Sequence, residues 1–299
     1  MMSVTRRQLL AGLAASTAVA QVKPGNGPKV RTSPAVCLYS QVLIKVPYPE
    51  LGEILRGLGV DGCDLTVMQG GHVAPEASAV DLMRAIEAIT GVGLDVPVVS
   101  TNYTNIADRT IQNVLAIAGE MGVPLCRTGY WKYPPAGEVE MRLAEVQRDV
   151  SQLAAYARAT NVSLAIPNVA GENVGAAIWD TNAIVRGFDP KFVGFDFDIG
   201  HAVAAAGEGW MVALRLALPR LKMVTVRDFV WKKEASGWKA SPCALGEGMV
   251  DFPKFFAALG RVRFTGPVSV TVDYHPDNDI QAIGHDVQFV RKQLAAAYA

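Results

Sequence analysis

From Ala35 to the C-terminus, short apolar runs alternate eight times with longer segments of helical period, and no long unpatterned gap interrupts them. Strands are expected over 35–43, 62–68, 96–101, 124–130, 162–166, 192–199, 222–227 and 266–273. Helices are expected over 48–58, 78–90, 110–121, 139–159, 174–186, 210–218, 252–259 and 280–297. The helix at 139–159 is the clearest. Val139, Leu143, Val146, Val150, Leu153 and Ala157 recur in steps of four and three, with charges elsewhere. Eight strand–helix units predict an α/β protein, a single-domain (β/α)8 TIM barrel. An open doubly wound sheet is the alternative, but no Gly-rich phosphate loop follows the first strand.

The sixth run, Phe-Val-Gly-Phe-Asp-Phe-Asp-Ile-Gly-His (192–201), has two distinct faces. Val193, Phe195, Phe197 and Ile199 fall on one side of an extended strand, and Gly194, Asp196, Asp198 and Gly200 on the other. One side suits a core, the other a polar site. In a barrel the chemistry lies at the C-terminal ends of the strands, which singles out Asp198 with His201, Arg227 with Asp228, and Asp273 with His275. The same alternation puts Asp64, Asp196, Asp198, Arg227 and Asp273 opposite the apolar faces. Charges there are costly unless paired or wet. They imply either a polar pocket or Arg–Asp pairs that plug the barrel. Tyr103, Tyr130, Trp131, Tyr133, Trp231 and Trp238 are placed on the same rim. Aromatic faces beside carboxylates suit the C–H face of a sugar ring, and ordinary loop packing would explain any one of them.

The first 20 residues read as an export signal rather than part of the fold. Thr5-Arg6-Arg7-Gln8-Leu9-Leu10 is a twin-arginine start, and Ala18-Val19-Ala20 is a small-residue cleavage pattern. The apolar run between them is too short for a membrane span. Residues 21–34 are Pro- and Gly-rich and are expected to be a linker, leaving 35–299 for the barrel. An exported, periplasmic location follows, with no membrane attachment after cleavage. Cys37, Cys63, Cys126 and Cys243 lack C-x-x-C spacing, so no zinc or redox motif is present. Lys plus Arg and Asp plus Glu are both 28. That balance argues against nucleic acid as a partner and leaves the oligomeric state open.

Four segments carry a family likeness: Phe-Asp-Phe-Asp-Ile-Gly-His-Ala (195–202), Val-Arg-Asp-Phe (226–229), Leu-Gly-Glu-Gly-Met-Val-Asp-Phe (245–252) and Gly-Pro-Val-Ser-Val (266–270). In this order they resemble the xylose isomerase-like barrels, a family described broadly as sugar phosphate isomerases/epimerases. The resemblance implies a TIM barrel, a sugar or polyol substrate, proton transfer next to a carbonyl, and often a divalent metal (Mn, Mg or Zn). Three positions depart from the family pattern. Pro167 stands where a Glu is usual after strand five, Thr225 where a His is usual on strand seven, and Thr271 where a Glu is usual near the end of strand eight. Asp198 and His201 match the usual metal region, with Glu247 in the following loop. Strand five is expected to end at Ile166, because Pro167 has no N–H to give a ladder.

The expected function is an exported isomerase or epimerase for a carbohydrate or sugar derivative, with no cofactor assigned beyond the divalent metal that the resemblance implies. Arg227 would stabilise the oxyanion, Asp198 or Glu247 would act as base, and His201 as acid. His72, Tyr103, Arg127, Tyr130, Trp131, Asn168, Asp228 and Asp273 are the expected substrate contacts, and Asp198 and His201 the only metal candidates. A carbohydrate-binding barrel without turnover is the second reading. A phosphodiesterase or repair barrel is disfavoured by four His in all and by zero net charge.

Overall fold

The computed structural model describes residues 31–235, 237–274 and 279–299. The expected signal sequence at 1–20, most of the expected linker and His275 lie outside them. Eight parallel strands close into a barrel: β1 (Val36–Tyr39), β2 (Gly62–Thr66), β3 (Asp95–Ser100), β4 (Leu125–Arg127), β5 (Ser163–Pro167), β6 (Val193–Asp198), β7 (Leu221–Val226) and β10 (Val268–Val270). Going round, the order is β1-β10-β7-β6-β5-β4-β3-β2, so each strand pairs with its chain neighbour and β10 closes on β1. Helices α1 (Tyr48–Leu58), α2 (Ser78–Gly91), α3 (Arg109–Glu120), α4 (Val139–Ala159), α5 (Ile178–Val185), α6 (Ile199–Ala206), α7 (Trp210–Ala217), α8 (Phe252–Arg261) and α9 (Ile280–Ala297) cover it. No helix of the described residues is long and apolar enough to cross a membrane.

The strand faces behave as their alternation requires. Outward residues such as Phe195, Phe197, Val224, Val226, Val268 and Val270 are buried against the helices in the main core. Each such side chain contributes about 1.5–3 kcal/mol by leaving water. Inside the barrel, Val98, Leu125, Ala165 and Met223 form a separate small apolar floor. Above that floor the interior turns polar.

Several boundaries moved, each for a local reason. The first run splits at Tyr39, and Ser40–Leu43 forms a 3-10 turn. There Ser40 Oγ accepts the Thr66 N–H at 2.9 Å, which ties the end of β1 to β2. Pro167 belongs to β5 after all, opposite Asp196. As the last residue of the strand, it has no onward ladder to break. The helix expected at 174–186 begins only at Ile178, because Gly175 turns the chain with φ +95°. Helix α6 was not anticipated, although its N-cap was in plain view: Asp198 Oδ1 accepts the His201 N–H at 2.9 Å. The antiparallel pair β8 (Asp228–Glu234) and β9 (Gly237–Cys243) was also missed. Its outer half carries Lys232, Lys233, Glu234 and Lys239, which hides the strand period. None of the four cysteines forms a disulfide, and Cys37, Cys63 and Cys126 are buried.

Candidate active site

Two charged layers are stacked above the apolar floor. The lower one joins Asp64, Arg127 and Asp196, on three different strands. Asp64 accepts from the Ser100 hydroxyl and from Ser269 Oγ at 2.6 Å. Arg127 Nη1 lies 3.5 Å from Asp196 Oδ2, and its guanidinium stacks 4.6 Å from the centre of the Tyr39 ring. Thr225, standing where the family has a histidine, donates its hydroxyl to Asp196 at 2.9 Å. Burial pushes the Asp196 carboxyl up to about 7, against the pull of Arg127 and with the help of Asp198. This layer is the barrel plug that the sequence left as one of two alternatives.

The upper layer is the open one. Arg227, at the end of β7, gives its Nε to Asp198 Oδ2 at 2.7 Å and its Nη1 to Asp273 Oδ2 at 2.7 Å. Its side chain is 23% exposed and that of Asp273 31%, so a solute in the mouth reaches both. Among the described residues these are its only two side-chain bonds, so three of its five N–H donors remain for a ligand. Gly200 makes the arrangement fit: a Cβ there would stand 2.5 Å from Arg227 Cγ. Burial raises the Asp273 pKa, outweighing Arg227, and lowers that of His201, outweighing Asp198. The His201 imidazole is therefore neutral at ordinary pH. Its Nε2 lies 3.9 Å from Asp198 Oδ2, too far for a hydrogen bond. Thr271 completes the inner face of this strand between Ser269 and Asp273. It is buried, and its hydroxyl has no hydrogen-bond partner among the described residues. Sequence reasoning had noted Thr271 only as a lost carboxylate.

The other expected site residues have different tasks. Asn168 clamps Asp198 at both ends of its amide, donating to the Asp198 carbonyl at 2.9 Å and accepting its N–H at 2.8 Å. It positions the acid rather than facing a substrate. Asp228 is buried and saturated. Its carboxylate accepts the N–H groups of Phe229, Gly246, Gly248 and Val250 at 2.9–3.1 Å. Gly248 is obligatory there, since a Cβ would fall 2.2 Å from Asp228 Oδ1. The Val-Arg-Asp-Phe and Gly-Glu-Gly-Met-Val-Asp-Phe segments are thus one device that folds a loop, and Asp251 caps α8. Glu247 is exposed, with no described side-chain bond to the Arg227 cluster. His72 sits between the carbonyls of Ser40 and Val46, each 3.0 Å away, and holds the turn after β1. Trp131 is buried and donates to Asp149 at 3.1 Å. The Tyr103 hydroxyl pairs with Thr110, and Tyr130 is 46% exposed. The structure therefore brings together Asp198, His201, Arg227 and Asp273, with Arg127 beneath, gives Asn168, Asp228, His72, Trp131 and Tyr103 bonds within the scaffold, and leaves Tyr130 and Glu247 exposed outside the cluster.

A divalent metal of the family's kind does not fit these residues. Asp198 already gives one oxygen to the His201 N–H and the other to a guanidinium. No group of three or more His, Cys, Asp or Glu side chains able to hold a metal occurs among the described residues. Hard cations need several oxygen ligands, and here a fixed cation, Arg227, faces the carboxylates.

Solved structures of similar shape span nearly the whole barrel. A xylose isomerase-like TIM barrel protein from Mycobacterium smegmatis in complex with magnesium superposes with a TM-score of 0.69 at 14% identity, covering 89% of this chain and 98% of that one. An L-ribulose 3-epimerase gives 0.68 at 17% identity, over 88% and 95%. A 3-keto-D-glucoside 4-epimerase from E. coli gives 0.69 at 16%, over 87% and 100%. At such identities the likeness is one of fold. No curated protein matches the chain. The model of the xylose isomerase-like TIM barrels matches residues 52–293, which takes in every barrel strand but the first, both segments bound by Asp228, and the whole Arg227 cluster. The chain belongs to the xylose isomerase-like TIM barrel family.

Proposed function

We propose that this protein is an exported enzyme of the sugar isomerase or epimerase type, moving a proton next to a carbonyl of a carbohydrate without the family's usual metal. The observation that carries this is the Arg227 fork, held by Asp198 and Asp273 with three N–H donors to spare at the barrel mouth. The base takes the proton from the carbon beside the carbonyl, and negative charge gathers on the carbonyl oxygen. Arg227 is a permanent donor aimed at that charge. Asp273 is the better base than Asp198, since its one described side-chain bond uses a single oxygen, whereas both Asp198 oxygens are engaged, and burial raises its pKa. His201, neutral, exchanges a proton with a substrate hydroxyl. The Thr271 hydroxyl, which has no partner among the described residues, supplies a buried partner for a polyol, and a bond to it removes the cost of leaving that group unbonded. Solved relatives of this fold include epimerases for L-ribulose and for a 3-keto-D-glucoside, and those sugars supply a starting panel. The Arg6-Arg7 start supports export.

The test is deuterium uptake from solvent into a panel of ketoses and 3-keto-glycosides, with and without chelator. Uptake that persists in chelator and disappears in Asp273→Asn is expected. Loss of uptake in chelator would sink the metal-free mechanism. Saturable binding with no exchange at all would favour the carbohydrate-binding reading instead.

A further inference from the structure

Beside the mouth, between the turn after β5 and helix α6, lies a cavity of about 390 Å³. That size is within the range of small-ligand pockets, roughly 300–1,000 Å³. Its walls include Asn168, Ile178 and Trp179 at the start of α5, and Ala202, Ala205 and Ala206 on α6. Apart from the Trp179 indole, Asn168 is its one polar side chain, and both ends of that amide are already bound to the Asp198 backbone. A polar guest would find backbone groups but no free polar side chain other than the indole to bond. An apolar one would cover the alanine face and the Trp179 ring, which is 52% exposed.

The cavity adjoins the reactive groups through two of its wall residues. Asn168 holds Asp198 in place from one side. Along α6, Ala205 is one turn beyond His201 on the same helix face, a rise of about 6 Å. A sugar seated at Arg227 and His201 would therefore direct one substituent toward this space. We infer that the cavity is a subsite for an apolar aryl or alkyl aglycone, so that the substrate class is keto glycosides, which carry their carbonyl on the ring, rather than free sugars. This inference rests on the function proposed above.

Calorimetric binding of matched methyl and 4-nitrophenyl 3-keto-glucosides tests it. The nitrophenyl member should bind about tenfold tighter, as expected for burying much of one ring. Ala205→Phe and Ala206→Leu, which fill the space from an exposed and a half-exposed position, should each erase that preference and leave methyl glycoside affinity unchanged. Equal affinities in the native protein, or a preference that survives both substitutions, would overturn the subsite. Should neither glycoside bind, the proposed function fails, and 4-nitrophenol alone decides the cavity. Binding to the native protein but not to the filled variants sustains an apolar subsite, and no binding removes it.

Discussion

The two charged layers of this barrel are built from the same residue types and differ mainly in access. Below, Arg127 and its acids are nearly closed off, its side chain being 12% exposed and that of Asp196 1%. Above, Arg227 and Asp273 are 23% and 31% exposed. In the lower set the acids accept from the hydroxyls of Ser100, Thr225 and Ser269, and Arg127 gives its Nη1 to Thr225 at 3.4 Å, all of it out of reach of a solute. In the upper set the donors beyond the two Asp bonds lie where a solute can meet them. An Arg–Asp pair is therefore filler or machinery according to whether a solute can replace one of its partners.

The largest expected effect comes from Arg127→Met, which leaves Asp64 and Asp196 buried without their cation. It should cost about 3–5 kcal/mol in urea unfolding. A loss under 1 kcal/mol would mean that water already reaches the lower layer, and the contrast would disappear. Arg227→Met should reverse the balance. Exchange or turnover should fall about 10²–10³-fold, while unfolding stability drops by only about 1–2 kcal/mol. The two substitutions giving the same profile would break the comparison.

Asp196 sharpens it through pH. Its folded pKa is about 7 against an ordinary 3.8. Between those values the unfolded chain has released a proton that the folded chain still holds. Stability from this group is therefore greatest in acid and falls as pH rises through the window. Asp196→Asn should remove that slope, worth about 4 kcal/mol between pH 4 and pH 8, as read from melting temperatures at several pH values. An unchanged slope would show that Asp196 is ionised throughout. The smallest effect is expected from Gly200→Ala. The added Cβ would push on Arg227 Cγ from 2.5 Å and should lower turnover about tenfold. It should scarcely touch Arg127 or the stability that Arg127 supports.

Much of the barrel was visible in the chain because period-2 and period-3.6 patterns report burial directly. Val193, Phe195 and Phe197 face the helices as their alternation requires, and the 139–159 helix has the bounds its stripe predicted. The hairpin was not visible, since its exposed lysines carry no burial signal. The site was half legible. Asp198, His201, Arg227 and Asp273 were named from strand ends and do converge, whereas Asp228 and His72 were named by the same rule and serve the backbone. Gly246 and Gly248 hinted at that role for Asp228, because glycines clustered around a conspicuous acid suit N–H groups closing on a carboxylate.

By itself the sequence determined the order of elements, the two faces of each strand, and which charges had to enter the barrel, because those follow from local period and the cost of burying charge. Only the tertiary structure decided which arginine each aspartate meets, which layer water reaches, and that Thr271 has no partner among the described residues. Such outcomes depend on strand stagger and on ångström-scale approach between residues as far apart in the chain as Asp64 and Ser269.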